Sequence, residues 1–430
     1  MNIIRKIAST ELTEQSISHL IPRSSLQLED IKQDVLNIIG NVKKHGDSAL
    51  VQFAKKFDNV ELNKSEIQVP EEEINDAVEH VDKELLEALK HAKKNLIKFH
   101  KAQLKEEWQI HIEEGVNAGQ IYRPLESAGL YVPGGRAIYP STVLMAATPA
   151  YVAGVENLVI CSPPQENKSI PPEILVAAKL FEIDKVYKCG GAQAIAAMAY
   201  GTDIIPKVDK IIGPGNKWVN AAKQLLSNIV AIDIPAGPSE ILILADQSAP
   251  HEYVMVDFLS QIEHDPDNIG VIATTSDELL KFIENNLETY VRESERQEII
   301  KKALDNSLLI KAKGHKELIR VANLIASEHL ELMMEQPREV LKLINNAGAI
   351  FLGSFSPVSL GDYSAGTNHI LPTGGNARRY SGLNTSEFMK TIDVLECTKD
   401  GLKTLKKSAT KLAAFEKLFA HKKAIDERLK

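Results

Sequence analysis

The sequence predicts an α/β protein: two Rossmann-like layers of parallel sheet, an N-terminal helical region, and a C-terminal helical tail that packs on the partner subunit. Three observations carry this. From Ala128 to Ile234, short β-rich runs alternate with helix-length runs, the order that crossover units on a parallel sheet require. Most of those strand candidates end in a glycine-bearing turn, as happens where an open α/β sheet brings backbone close to a ligand. The alternation then resumes from Ile241 to Leu352 as a second layer.

In chain order, residues 1–24 show no strong periodicity and read as an arm that packs on another part of the protein. Residues 25–110 read as helical, with Val35, Ile38, Ile39 and Val42 on one stripe and Leu85, Leu86, Leu89, Ala92 and Leu96 on another. This region is expected to pack with 238–375 as a first α/β domain, and 111–237 forms the second. Trp108 to Tyr122 alternates around Glu114-Gly115-Val116-Asn117 as a hairpin does. Strands are expected at Ala128–Val132, Leu158–Cys161, Lys185–Lys188, Lys210–Ile212 and Val230–Ile234. Helices fall between them at Thr142–Val152, Pro172–Phe181, Ala192–Tyr200 and Asn216–Leu226. The glycine turns are Pro133-Gly134-Gly135, Gly190-Gly191, Gly213-Pro214-Gly215 and Pro235-Ala236-Gly237-Pro238, and together they outline a cofactor cleft. The second layer runs through Ile241–Ala245, a helix opened by Ser248 as N-cap, Val271–Thr274, a helix from Ser276, Leu308–Lys311, a helix from about Lys316, and Ala349–Leu352. From Gly353 to Asn384 the chain is rich in Gly, Ser, Asn and Pro, and so long a loop is usually functional. Residues 376–430 form the tail, whose stripe of Leu405, Ala409, Leu412 and Phe415 looks appended and suits packing on a second subunit.

Composition narrows the classes of partner. Lys+Arg 50 against Asp+Glu 58 gives a formal net charge of −8, with no basic field for nucleic acid or an anionic membrane. No apolar run is long enough to span a bilayer, and the first residues lack a signal-peptide core, so the chain reads as cytoplasmic. Cys161, Cys189 and Cys397 are odd in number and far apart. That fits a reducing compartment and excludes a cysteine-rich zinc cluster. Any metal has to rest on His, carboxylate or amide donors.

Such donors are concentrated in a few places. Gln261 and His264 lie three apart near the end of a helix whose core stripe is Met255, Leu259 and Ile262, so both can meet one ligand. The plain alternative is that His264 decorates a helix C-terminus, where a cation is favoured. Glu328 and His329 set a carboxylate beside an imidazole, a pair suited to proton transfer near neutral pH or equally to a surface. The long loop supplies Asp362 and His369, and the tail supplies His421. Taken together, Gln261, His264, Asp362 and His421 offer two imidazoles, a carboxylate and an amide oxygen, a set that suits zinc better than magnesium or calcium. There is no G-x-G-x-x-G, Walker lysine motif, G-x-S-x-G or H-E-x-x-H. Gly213-Pro214-Gly215-Asn216 after a strand can bring amides to a phosphate at a helix start, or can be a tight βα connection and no more.

In order, Gly129-Leu130-Tyr131-Val132-Pro133-Gly134-Gly135, Gly190-Gly191-Ala192-Gln193-Ala194-Ile195-Ala196, Gly213 to Asn216, Ala236 to Glu240, Ser260 to His264, Ser327 to Leu332 and Gly361 to His369 resemble the histidinol dehydrogenase family over nearly the whole chain. The resemblance implies oxidation of L-histidinol to L-histidine through L-histidinal with two NAD, the last step of histidine biosynthesis, in a zinc-dependent homodimer with shared active sites. It implies that Gln261, His264, Asp362 and the partner-delivered His421 ligate zinc, and that Tyr131, Gln193 and Asn216 contact NAD. Ser239, His369 and Glu416 would contact substrate, alongside the zinc-side residues and His329, with Glu328 and His329 as the acid–base residues. Ile262 departs from the smaller residue expected between the Gln and the Glu, a difference that falls on the core stripe and bears on packing. Two further readings stand beside this one: a relative oxidising another alcohol with NAD, and a zinc hydrolase in which Glu328 activates a metal-bound water.

Overall fold

The computed structural model describes residues 4–21, 23, 28–134, 138–234 and 237–430. Gly135 of the first glycine turn, Pro235 and Ala236 of the last, and part of the 1–24 arm lie outside the described residues.

Five strands make one wholly parallel sheet in the order Lys185–Lys188, Asn157–Ser162, Ser127–Tyr131, Lys210–Ile212, Ala231–Ile232. The intervening helices are Pro140–Ala153, Pro172–Leu180, Gly191–Tyr200 and Lys217–Leu226. The first three are apolar almost all round, which matches burial between the sheet and further helices, whereas Lys217–Leu226 is amphipathic. Those further helices are Leu28–His45 and Lys83–Lys101. Val35, Ile38 and Ile39 sit in one cluster with Tyr131, Ala194 and Val219, and Leu89, Ala92 and Leu96 sit in another with Leu130, Val143 and Leu144. The stripes of the 25–110 helices therefore cover the 127–232 sheet, while the Lys83–Lys101 helix also meets 238–375, where Asn95 donates to the Ser364 carbonyl at 2.8 Å and His100 lies 3.3 Å from Asn368. The stripes were visible in the sequence, but a stripe does not say which of two similar sheets it meets.

The second sheet has six parallel strands in the order Arg5–Ala8, Leu308–Lys311, Ile269–Thr274, Glu240–Ala245, His329–Met333, Ala349–Leu352. Two of these were not expected. Arg5–Ala8 turns the supposed arm into an edge strand, short and polar enough to show no period. His329–Met333, where no strand was expected, is an interior strand and wholly buried. Its HLELM run alternates with Glu331 at an inward position, so it lacks the apolar continuity usual for a parallel strand.

A third, antiparallel ribbon joins Trp108–Glu113, Val116–Pro124 and Met389–Cys397. The hairpin was foreseen, but its third strand comes from the tail, so the tail is not helical throughout. It continues as Lys399–Phe415 and Phe419–Glu427. The helix before Gln261 is His251–Ile262, with Pro250 rather than Ser248 at its N-cap, because the Ser248 hydroxyl is spent donating to Asp246 at 2.6 Å. Among the described residues, no helix is long and apolar enough to cross a membrane.

Candidate active site

The centre of the site is the amino end of two adjacent strands in the six-stranded sheet. His329 is in register with Ile241, so Glu328 and His329 stand beside Glu240. Parallel pairing forces this neighbourhood on residues far apart in sequence. The His329 Nδ1 lies 3.2 Å from the Glu240 carbonyl oxygen, an acceptor only, so Nδ1 carries the proton whenever the ring is neutral. Nε2 is then the basic nitrogen. It is buried, without a hydrogen-bond partner among the described residues, 3.6 Å from Asp362 Oδ1.

Charge around this ring is unusual. Burial alone would lower the His329 pKa, but the Glu328 carboxylate and then Asp362 outweigh it and lift it to about 9. Burial raises Glu328 to about 7 against the pull of His329. The Glu328 Oε2 accepts from the Glu240 amide at 2.9 Å. Burial disfavours an ionised Asp362, yet His329, His369 and Gln261 together hold its carboxyl below the ordinary range.

Several expected residues converge on Asp362. Gln261, buried in the last turn of its helix, reaches Asp362 Oδ2 at 3.4 Å. His369 Nδ1 lies 3.1 Å from the Asp362 carbonyl oxygen, and burial keeps this imidazole below its usual pKa. His264 lies just past the helix end rather than on its face. Its ring is exposed at the rim, yet surrounding protein lowers its pKa against the pull of Asp362. Ser239 directly precedes the Glu240 strand, with its amide held by Asn268 at 3.0 Å.

Other expected residues lie elsewhere. Among the described residues, no hydrogen bond or ion pair joins His421 or Glu416 to this group, and no three His, Cys, Asp or Glu side chains assemble as a metal-ligand set. Both lie exposed in the tail. Tyr131, Gln193 and Asn216 sit on the five-stranded layer. Tyr131 is buried at a strand end and its hydroxyl accepts from the Gly191 amide at 3.1 Å. Gln193 is buried in the first turn of the following helix. The Asn216 side chain caps its own helix by accepting from Trp218 and Val219. A cavity of about 580 Å³, lined by Phe99, Phe351, Leu360, Gly361, Asn368 and Leu371 among others, adjoins the Asp362 segment but none of Gln261, His264, Glu328, His329 and Asp362 lines it.

Sequence reasoning gave no role to Glu240, which is the hub behind the site. Its carboxylate takes a bidentate pair from Arg23 at 2.8 and 2.9 Å and the Gly374 amide at 3.0 Å. A single charge opening the apolar run Glu240–Ala245 was the available signal. Glu331 was also missed. Its Oε1 accepts from the Val358 amide at 3.0 Å, tying the central strand to the helix that carries Asp362. Burial, then the Asp257 carboxylate, push Glu331 up to about 8. Because the folded chain keeps a proton that the unfolded chain releases above the ordinary carboxylate pKa of 4.5, this group costs stability increasingly as pH rises from there towards 8. Glu331→Gln keeps the shape and removes that titration. Its stability relative to the parent is expected to climb between pH 5 and 8 in denaturant titrations of the metal-free protein, and a difference that stays flat would contradict the assignment.

Comparison with known proteins agrees with this architecture along its length. The family model described as histidinol dehydrogenase matches residues 21–429. The histidinol dehydrogenase of Methanococcus maripaludis is 46% identical over 429 residues, covering 99% of this chain and 100% of that one. That of Caldanaerobacter subterraneus is 47% identical over 407 residues, covering 94% of each. The crystal structure of histidinol dehydrogenase from Elizabethkingia anophelis superposes with a TM-score of 0.95 at 41% identity, covering 100% of this chain and 98% of that one. With a matching family model, relatives of this identity at full length, and the same fold, the chain belongs to the histidinol dehydrogenase family, dehydrogenases that oxidise histidinol in histidine biosynthesis.

Proposed function

We propose that the chain oxidises L-histidinol to L-histidine through L-histidinal, using two NAD and one zinc ion per site, in a homodimer whose subunits complete each other's sites. The observation that carries this is His329. Its tautomer is fixed by the Glu240 carbonyl, and its buried Nε2, 3.6 Å from Asp362 Oδ1, has no hydrogen-bond partner among the described residues and so is left to a substrate hydroxyl.

The donor chemistry of Gln261, His264 and Asp362 fits zinc. One helix end supplies an amide oxygen and an imidazole held below its usual pKa, and the segment after the Ala349–Leu352 strand supplies a carboxylate kept ionised, with Gln261 3.4 Å from Asp362. Zinc takes four or more donors, and this chain's own His421 does not reach the other three. The tail bearing His421 and Glu416 is exposed, with Phe415 85% and Phe419 65% accessible, and such an apolar surface suits a partner subunit. When bound, zinc supplies a fixed Lewis-acid anchor for the amino alcohol and its imidazole. NAD supplies the hydride acceptor for each oxidation, and Tyr131, Gln193 and Asn216 at the glycine turns are the residues we assign to it.

The residues of the chain do the rest. In its neutral form, which gains population as pH rises towards 9, His329 takes the hydroxyl proton at Nε2 as hydride leaves the carbinol carbon in the first oxidation. Glu328, close to half-ionised near neutrality, takes a proton from the water that adds to the aldehyde. His329 then deprotonates the hydrate in the second. Ser239 and His369, with Glu416 of the tail, would hold the amine and imidazole of the substrate.

Stoichiometry tests the reading. Two NADH per histidinol consumed are expected, abolished by chelation and restored by zinc. One NADH per histidinol would mean that the aldehyde is released and would remove the role of Glu328. NADH from another alcohol but none from histidinol would favour a relative with a different substrate.

A further inference from the structure

The turn after the Lys210–Ile212 strand is held by two buried charges that neither the acid–base group nor the metal donors explain. We propose that Lys223 and Asp233 are positioning residues for dinucleotide binding: they grip both polar groups of Gly213 and so set the backbone of Gly213-Pro214-Gly215-Asn216 that meets the diphosphate. This rests on the NAD reading above.

The Gly213 amide donates to Asp233 Oδ2 at 2.7 Å, and the Gly213 carbonyl accepts from Lys223 Nζ at 3.0 Å. An ion pair between Lys223 and Asp233 closes the triangle, with the two side chains 1% and 3% exposed. The backbone they hold is one that only glycine adopts readily. Gly213 has φ of +121°, and a Cβ there would fall 2.1 Å from the Tyr131 carbonyl oxygen. Tyr131 in turn accepts from Gly191, so the grip is continuous with the neighbouring glycine turn. Further along, the Asn220 side chain donates to the Gly215 carbonyl at 2.8 Å. Two first-turn amides of the Lys217–Leu226 helix, Trp218 and Val219, are already taken by Asn216. A diphosphate at this helix start therefore has to be met by amides upstream of them, where the Gly213 peptide fixes the direction of the chain.

Energetics separates this role from a merely structural one. A buried ion pair repays its desolvation poorly, and apolar residues of similar size often replace one with no loss of stability. What this pair secures is the geometry of the turn, through both polar groups of Gly213. In the double variant Lys223→Met/Asp233→Leu, a lowered Tm with the fold kept is expected, because removing the ion pair costs little while the buried Gly213 amide and carbonyl lose their partners. The Kd for NAD+, measured by calorimetric titration of the full-length protein, should rise about tenfold or more, as expected when charge-assisted hydrogen bonds to the turn are lost. KM for NAD+ should rise with it, while KM for histidinol and kcat at saturating NAD+ stay within about twofold, the signature of lost binding rather than lost chemistry. Asp233→Asn, which keeps an acceptor for the Gly213 amide, should lie between parent and double variant, and serves if the double variant does not fold. A folded variant with the parental Kd, or one losing kcat with no change in KM for NAD+, overturns the proposal. If the parent itself fails to bind NAD+ saturably, the NAD reading fails and this inference with it.

Discussion

His329→Asn is expected to lower kcat for histidinol oxidation by about 10²–10⁴-fold, the contribution of a well-placed general base. The size follows from the lack of any substitute. Nε2 is the basic atom of this ring, and the remaining titratable neighbours, Glu328 and Asp362, are engaged with the Glu240 amide and with Gln261 respectively. Asparagine fills much of the ring's volume and can still donate to the Glu240 carbonyl, so the strand pairing His329↔Ile241 should survive. Zinc content is expected to be unchanged, because none of the proposed donors is altered. Steady-state kinetics with metal analysis on the same preparation decides: a loss below tenfold, or a loss that follows missing zinc, would move the base elsewhere. Glu328→Gln should separate the two oxidations, with the first NADH formed and the second strongly slowed.

The second large effect concerns the tail. His421→Ala and His264→Ala subunits are each expected to be inactive alone, since each lacks one of the four proposed zinc donors in every site. Mixed after co-expression they should recover about a quarter of parental activity: half of random dimers are mixed, and in each of these a single site draws its His264 and His421 from the two unaltered positions. No recovery, with both variants folded and dimeric, would show that the tail serves its own subunit or none. The exposed Leu412, Phe415 and Phe419 beside His421 give an independent readout, because charged replacements there should weaken the dimer and its zinc together.

Much of the architecture was legible where chemistry is local. Lys185–Lys188, Lys210–Ile212, Leu308–Lys311 and Ala349–Leu352 appear with the bounds their composition suggests, since β-rich runs between turn residues have little alternative. Met389–Cys397 had a legible alternation through Ile392 and Val394, but it follows a long irregular stretch and its mate, Val116–Pro124, is distant in sequence. His329–Met333 was hidden by Glu331, a buried carboxyl whose partners come from other elements. The same division holds in the site. Gln261, His264, Glu328, His329, Asp362 and His369 are chemically conspicuous, and the fold gathers them. Glu240 was not conspicuous, because its importance comes from Arg23, 217 residues away, and no local pattern encodes such a contact.

The strand order has a bearing on biosynthesis of the chain itself. Every strand of the five-stranded sheet lies between Ser127 and Ile232, so that layer can close as soon as those residues leave the ribosome. Arg5–Ala8, by contrast, emerges first yet pairs only with Leu308–Lys311. At ordinary elongation rates this strand waits on the order of 15–60 s for its mate, with its amides unclaimed. The nascent protein thus completes its five-stranded layer early and its six-stranded layer late, and Arg5–Ala8 is the strand that a chaperone has most reason to shelter.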